Sequence, residues 1–201
     1  MNQAADIIGN IYVQKSAIMN NLKEESVAVY AYITKEFNKG NITENPVFQF
    51  MYRSYYRLDH SGLMPEFKQA YFAIMEELRG SVDIDLIQII DRLYEYPRRK
   101  GDKSVQFSFA TKLANTINRS YPIYDSEVAK VFGFSKYHIK NKEQKIKRYM
   151  NQYQYLINTY NVMTNDERFM EMIKEFDRKF DGYHLPIVKK IDFIIWSAGK
   201  L

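Results

Sequence analysis

Lys112 and Asp125, in the stretch FSFATKLANTINRSYPIYDSEV, are the two side chains whose types and spacing could do covalent chemistry. A neutral lysine amine attacks electron-poor carbon and forms a Schiff base with a carbonyl, but it must first lose its proton. That requires desolvation or a neighbouring cation to lower its pKa. The aspartate follows thirteen positions later, where a new helix opens. Each residue also has an ordinary use, since a lysine on a helix's polar face is commonly just solvated and an aspartate before a helix caps it.

Two elements must position this pair. Phe109, Ala110, Leu113, Ala114 and Ile117 recur at helical spacing and form the buried face of a helix that runs to Asn118. Ser108, Thr111, Lys112, Asn115 and Thr116 form its other side, where small uncharged groups surround a single cation. Tyr121 and Pro122 end it, because proline has no N–H and pushes its predecessor out of the helical region. Asp125 then caps a short helix at 126–132.

The remaining segments share the helical period. Apolar spacing predicts helices at 4–21, 24–38, 47–58, 66–79 and 84–94 before the central one. Behind it come helices at 143–159, after Asn165 or Asp166, and at 187–198, with turns at Gly40-Asn41, Gly80 and Asp181-Gly182. No strand alternation, internal repeat or low-complexity linker interrupts them, so the chain reads as all-α with about nine or ten short helices. At 201 residues it is one domain, or one domain built as two lobes, and long enough to bury a substantial core.

The formal charge of +5 is compatible with a polyanion partner. Arg98, Arg99, Lys100 and Lys103 form a basic loop ahead of the central helix, and Lys136, Lys140 and Lys142 a second group beyond the aspartate helix. Both are candidate phosphate contacts, which supply affinity and position rather than sequence choice. Lys189 and Lys190 sit at a helix start, where cations are unfavourable, and are a third candidate. Phe107, Ser108, Phe109, Thr111 and Asn115 are candidate pocket walls, and the stretch MYRSYYRLDH at 51–60 offers strand-facing aromatics and arginines. Trp196 reads as core. With no cysteine, disulfides and thiolate zinc sites are excluded, and His60, His138 and His184 show no metal-ligand spacing, so no cofactor is expected. The opening MNQAADIIGN has neither region of a signal peptide and no apolar run approaches a membrane span. The expectation is a cytoplasmic monomer that does not meet a membrane.

The central stretch resembles the catalytic segment of the helix-hairpin-helix DNA glycosylases, the superfamily that includes endonuclease III and the 8-oxoguanine glycosylases. Thr111, Lys112, Ala114 and Asn115 match the family's G-V-G-[TR]-K-x-A-[ND] stretch. Asp125 and Val128, behind Ile123, match its [VI]-D-x-x-[VIM] stretch, with Tyr124 departing just before the aspartate. KKIDFIIWSAGK, at 189–200, is similar to the helix that closes the same domain in endonuclease III, with Asp192, Trp196 and Gly199 in register.

The resemblance implies a two-lobed helical domain, with a central lobe at about 30–130 and a second lobe from 1–29 plus 131–201. It implies a DNA glycosylase/AP lyase acting on double-stranded DNA, with Lys112 as the nucleophile at C1′. Asp125 would help to deprotonate the lysine and stabilise an oxocarbenium-like sugar. The Thr111-Lys112 pair points to an oxidised purine, flipped out of the duplex to be reached. The family's iron–sulfur cluster is excluded by the lack of cysteine. In place of the hairpin glycines that let backbone approach a phosphate stand Gln106, Phe107, Ser108, Phe109 and Ala110, and the nearest glycine is Gly101. The gap from Lys112 to Asp125 is also a few residues shorter than is common in the family. These departures leave a second expectation, a non-catalytic nucleic-acid- or protein-binding module on the same scaffold.

Overall fold

The computed structural model describes residues 3–60, 62–134 and 139–201. Among them are eleven α-helices, two 3-10 turns and no β-strand. The helices are α1 (Gln3–Val13), α2 (Lys15–Asn21), α3 (Glu24–Phe37), α4 (Pro46–Tyr56), α5 (Pro65–Glu77) and α6 (Leu86–Tyr94), followed by α7 (Phe107–Ile117), α8 (Ser126–Val131), α9 (Lys142–Met163), α10 (Glu167–Lys179) and α11 (Ile187–Ala198). The single helix expected at 4–21 is two, with the break at Gln14, because α1 packs on α9 and α10 while α2 packs on α10 and α11.

Short polar side chains start five of these helices. Asn45, Asp85, Asp125, Asn141 and Asp166 each accept hydrogen bonds from backbone N–H groups of the first turn, satisfying donors that have no partner inside the helix. Pro46 and Pro65 occupy first-turn positions, where a missing N–H costs nothing.

α3 packs on α4, and α5 packs on both α6 and α7. α6 and α7 pack on each other as a hairpin, joined by the loop 95–106 with Gly101 at φ +81°. α11 packs on α2, α8 and α10. The apolar face of α7 is buried as its spacing predicts, through Phe109, Ala110, Leu113 and Ala114. The abundant tyrosines build polar links inside the core: the Tyr52 and Tyr71 hydroxyls are 3.0 Å apart, and Tyr71 donates to the Phe109 carbonyl at 2.9 Å.

A close backbone approach joins the end of α11 to α8. Gly199 follows α11 at an ordinary helical φ of −67°, so freedom of φ does not explain it. Space does, because a Cβ there would lie 2.3 Å from the Glu127 carbonyl oxygen. Gly199→Ala is therefore expected to push α8 off α11 and destabilise the fold by about 1–3 kcal/mol in urea unfolding.

Candidate active site

Between α7 and α8 the chain turns at 118–121, where the Tyr121 N–H donates to the Asn118 carbonyl at 3.2 Å, and then runs on to Asp125 with no strand beside it. Its buried polar groups must then find side-chain partners. The Tyr121 carbonyl accepts from Asn115 Nδ2 at 2.8 Å, and the Pro122 carbonyl from the Tyr153 hydroxyl at 2.8 Å. The Ile123 N–H donates to Asp192 Oδ1 at 3.1 Å, and the Tyr124 N–H to Thr111 Oγ1 at 3.1 Å. Two of these partners, Thr111 and Asn115, flank Lys112 on α7, so the lysine helix itself holds the link that ends in Asp125.

Lys112 projects from α7 into a cleft of about 680 Å³. Asp125 enters the same cleft from the start of α8, Tyr56 and Arg57 from the end of α4, and Lys189 and Trp196 from α11. The Lys112 amine lies 5.7 Å from the centre of the Tyr56 ring and 5.1 Å from that of Phe109. It takes no hydrogen bond or ion pair among the described residues. Asp125 uses Oδ1 to accept from the Glu127 and Val128 N–H groups at 2.9 and 3.0 Å. Its Oδ2 takes no hydrogen bond among the described residues, so one carboxylate oxygen is uncommitted beside the amine.

Burial pushes the Lys112 ammonium down to about 8, opposed by the Asp125 charge and aided by those of Lys189 and Arg57. At neutral pH about a tenth of such amines are neutral, against roughly a thousandth of an ordinary lysine's. Burial also pushes Asp192 up to about 6, against the pull of Lys189. The Lys189 ammonium, 3% exposed, is pushed down by the same desolvation. Lys200, over the Trp196 ring at 3.4 Å, is lowered by burial and then by Arg57. Arg57 itself holds a left-handed backbone (φ 59°), which costs a non-glycine residue about 1–2 kcal/mol.

The candidates named from sequence separate into groups. Lys112, Asp125, Ser108, Phe109 and Lys189 line the cleft, as does Trp196, which had read as core. Phe107, Thr111 and Asn115 are not pocket walls: Phe107 stacks on Tyr149 at 4.8 Å in the core, and the other two hold the link. Lys190 turns away to Asp177, 2.6 Å off. In the basic loop, Arg98 pairs with Asp102 and Lys103 with Glu95, while Arg99 and Lys100 are exposed at the hairpin turn. Lys142 pairs with Asp91 at 2.8 Å and Lys140 is exposed; Lys136 and His138 lie outside the described residues. Arg57 and Tyr56 belong to the 51–60 stretch singled out above, whereas Asp192 and Lys200 had been given no role. A signal for Asp192 existed, an acid within IDFII at helical spacing from Lys189.

No group of three His, Cys, Asp or Glu side chains that could hold a metal occurs among the described residues, and no described helix is long and apolar enough to cross a membrane. No family model, curated protein or solved structure matches the chain. Fold and site together define an all-helical protein with an amine and a carboxylate sharing one cleft.

Two outcomes follow from this geometry. The unfolded chain holds more protons than the native one between about pH 8, the native Lys112 value, and about pH 10, so stability due to this residue rises with pH across that window. Lys112→Met should then stabilise the protein by about 1–2 kcal/mol in urea unfolding at pH 7, and the gain should fade toward pH 10. Thr111→Val keeps the volume but strands the Tyr124 N–H, and should destabilise by about 1–3 kcal/mol at either pH.

Proposed function

We propose that the protein is a DNA glycosylase/AP lyase of the helix-hairpin-helix type, with Lys112 as nucleophile and Asp125 as its carboxylate partner. One observation carries the reading: the Lys112 amine, without an acceptor, and the half-committed Asp125 carboxylate open on one cleft of about 680 Å³. That volume lies in the range of ligand pockets and suits a single extruded nucleotide. The aromatic sides, Tyr56, Phe109 and Trp196, suit the faces of a base and sugar.

In this reading the neutral amine forms a bond to C1′ as the glycosidic C–N bond breaks, and the base leaves with that electron pair and takes up a proton. The positive charge that builds on the sugar is stabilised by Asp125. Loss of the amine proton and opening of the C1′–O4′ bond give the Schiff base. The two lobes of the fold would be α3–α7 and the remaining helices around α9–α11, with the cleft at their junction. The α6–α7 hairpin, turned by Gly101, would present Arg99 and Lys100 to a phosphate backbone. An oxidised purine is the substrate that the Thr111-Lys112 pair favours.

Borohydride reduction in the presence of oligonucleotides carrying 8-oxoguanine or an abasic site should trap a covalent complex with the wild type. Lys112→Gln should abolish trapping, and Asp125→Asn should reduce it by about 100-fold or more. A wild type that traps on none of these substrates sinks the enzyme reading. The lack of glycines just before Lys112 and the ion pairs that hold Arg98 and Lys103 favour the alternative of a non-catalytic binding module. That alternative predicts salt-sensitive DNA binding unchanged by Asp125→Asn.

A further inference from the structure

Lys189 is a cation that the chemistry above leaves unused. It sits on α11 at 3% exposure, with its ammonium 4.3 Å from the centre of the Tyr30 ring and 5.0 Å from that of Phe193. Its counter-ion is Asp192, one turn on, whose Oδ2 is 3.7 Å away and takes no hydrogen bond. The other Asp192 oxygen is committed to the Ile123 N–H and the Tyr160 hydroxyl, at 3.1 and 3.0 Å.

A buried ion pair of this kind adds little to stability, since two apolar side chains of the same size would serve the fold as well or better. Its place is more informative, because Lys189 and Lys112 line the same cleft from different helices. The titratable groups that line the cleft with Lys112 are Tyr55, Tyr56 and Arg57 from α4 and its end, Asp125 and Glu127 from α8 and its start, and Lys189, Asp192 and Lys200 from α11 and its end. Of these, Asp125 favours the charged amine, while Lys189 and, more weakly, Arg57 oppose it. Arg57 is exposed at the end of α4, where water and salt screen it. Lys189 is enclosed by rings and anchored by Asp192, so its field is fixed in place and poorly screened.

We infer that Lys189 is a positioning residue of the candidate active site, a fixed buried cation that adds to desolvation in favouring the nucleophilic, uncharged form of the Lys112 amine, with Asp192 as the anchor for Lys189 and for the Asp125 link. The inference rests on the reading of Lys112 as a nucleophile but not on the identity of the substrate. A like charge beside an amine-bearing nucleophile is a known way of making an amine reactive near neutral pH.

The test is Lys112 reactivity without DNA. Intact protein is labelled with formaldehyde and cyanoborohydride from pH 6 to pH 10, and modification of Lys112 is read by peptide mass spectrometry. Wild type should show a midpoint near 8. Lys189→Met should move the midpoint up by half a unit or more, which lowers labelling at pH 7 about threefold or more. Lys189→Arg keeps the charge and should leave the midpoint within a few tenths of a unit of wild type. Because Lys189→Met strands a buried carboxylate, Lys189→Met/Asp192→Asn serves if the single variant misfolds; it also removes the Asp192 charge, so its midpoint should move up in the same direction but by less. An unchanged midpoint in whichever of the two folds overturns the inference, as does a wild-type midpoint at an ordinary lysine's value. Failure to trap a DNA complex would leave this readout intact, so the glycosylase reading and the tuning role of Lys189 fail separately.

Discussion

An extended segment with no sheet to join must be held by side chains, and that constraint fixes the geometry of the cleft. The segment from Tyr121 to Tyr124 is bound by Asn115 and Thr111 from α7, Tyr153 from α9 and Asp192 from α11. A buried N–H or C=O that lost its partner would cost about 1–3 kcal/mol, more than a typical hydrogen bond contributes, so the link has little freedom. Its end is Asp125, oriented further by capping α8. The distance between amine and carboxylate is thus set by the scaffold and not by attraction between them. Had the two closed into a direct ion pair, Asp125 would have held Lys112 protonated. Held apart, the carboxylate is near enough to act on the amine's charge without locking it.

Much of this was legible from residue order. The period of the apolar side chains gave the helices, and Asp125 and Asp166 read as starts because their oxygens reach first-turn N–H groups that nothing else serves. Asp85, rather than Ser81 or Asp83, caps α6, a choice among adjacent polar residues that spacing does not decide. Thr111 and Asn115 were placed in a pocket wall because they share the polar side of α7 with Lys112. A polar helix face can meet water, ligand or another stretch of backbone, and only the tertiary path of 119–125 decides which. Arg57 lay in the stretch singled out at 51–60, but the left-handed backbone that turns it at the helix end leaves no mark in the sequence. The paired chemistry of Lys189 and Asp192 depends on α3 and α9 closing around α11, through Tyr30 and Tyr160.

Four departures from a stability-first design lie at this one cleft. Around it lie an amine without an acceptor, an ion pair with an unbonded Asp192 Oδ2, a Tyr56 hydroxyl without a partner and a strained Arg57 backbone. Away from it the buried hydroxyls of Tyr52, Tyr71, Tyr153 and Tyr160 all find partners. Such features each cost of order 1 kcal/mol or more; others lie outside the cleft, in the unpartnered Tyr155 hydroxyl and Asn115 Oδ1 and the left-handed His184. Four of them around one site fit a requirement for chemistry or tight recognition there, at the expense of stability.

Charge on the outer surface distinguishes the readings less well than the cleft does. Arg98, Lys103 and Lys142 sit in exposed ion pairs, which are weak, and phosphates would compete for them readily. A protein that only bound nucleic acid would need those cations and the exposed Arg99 and Lys100, but nothing of what lies behind them. It would gain nothing from desolvating Lys112, from leaving one Asp125 oxygen unbonded, or from burying a second ammonium in the same crevice. Those three features cost stability and contribute nothing to an outer binding surface. They contribute to reactivity only when an electron-poor carbon enters between amine and carboxylate, and it is on that contrast that the enzyme reading is preferred.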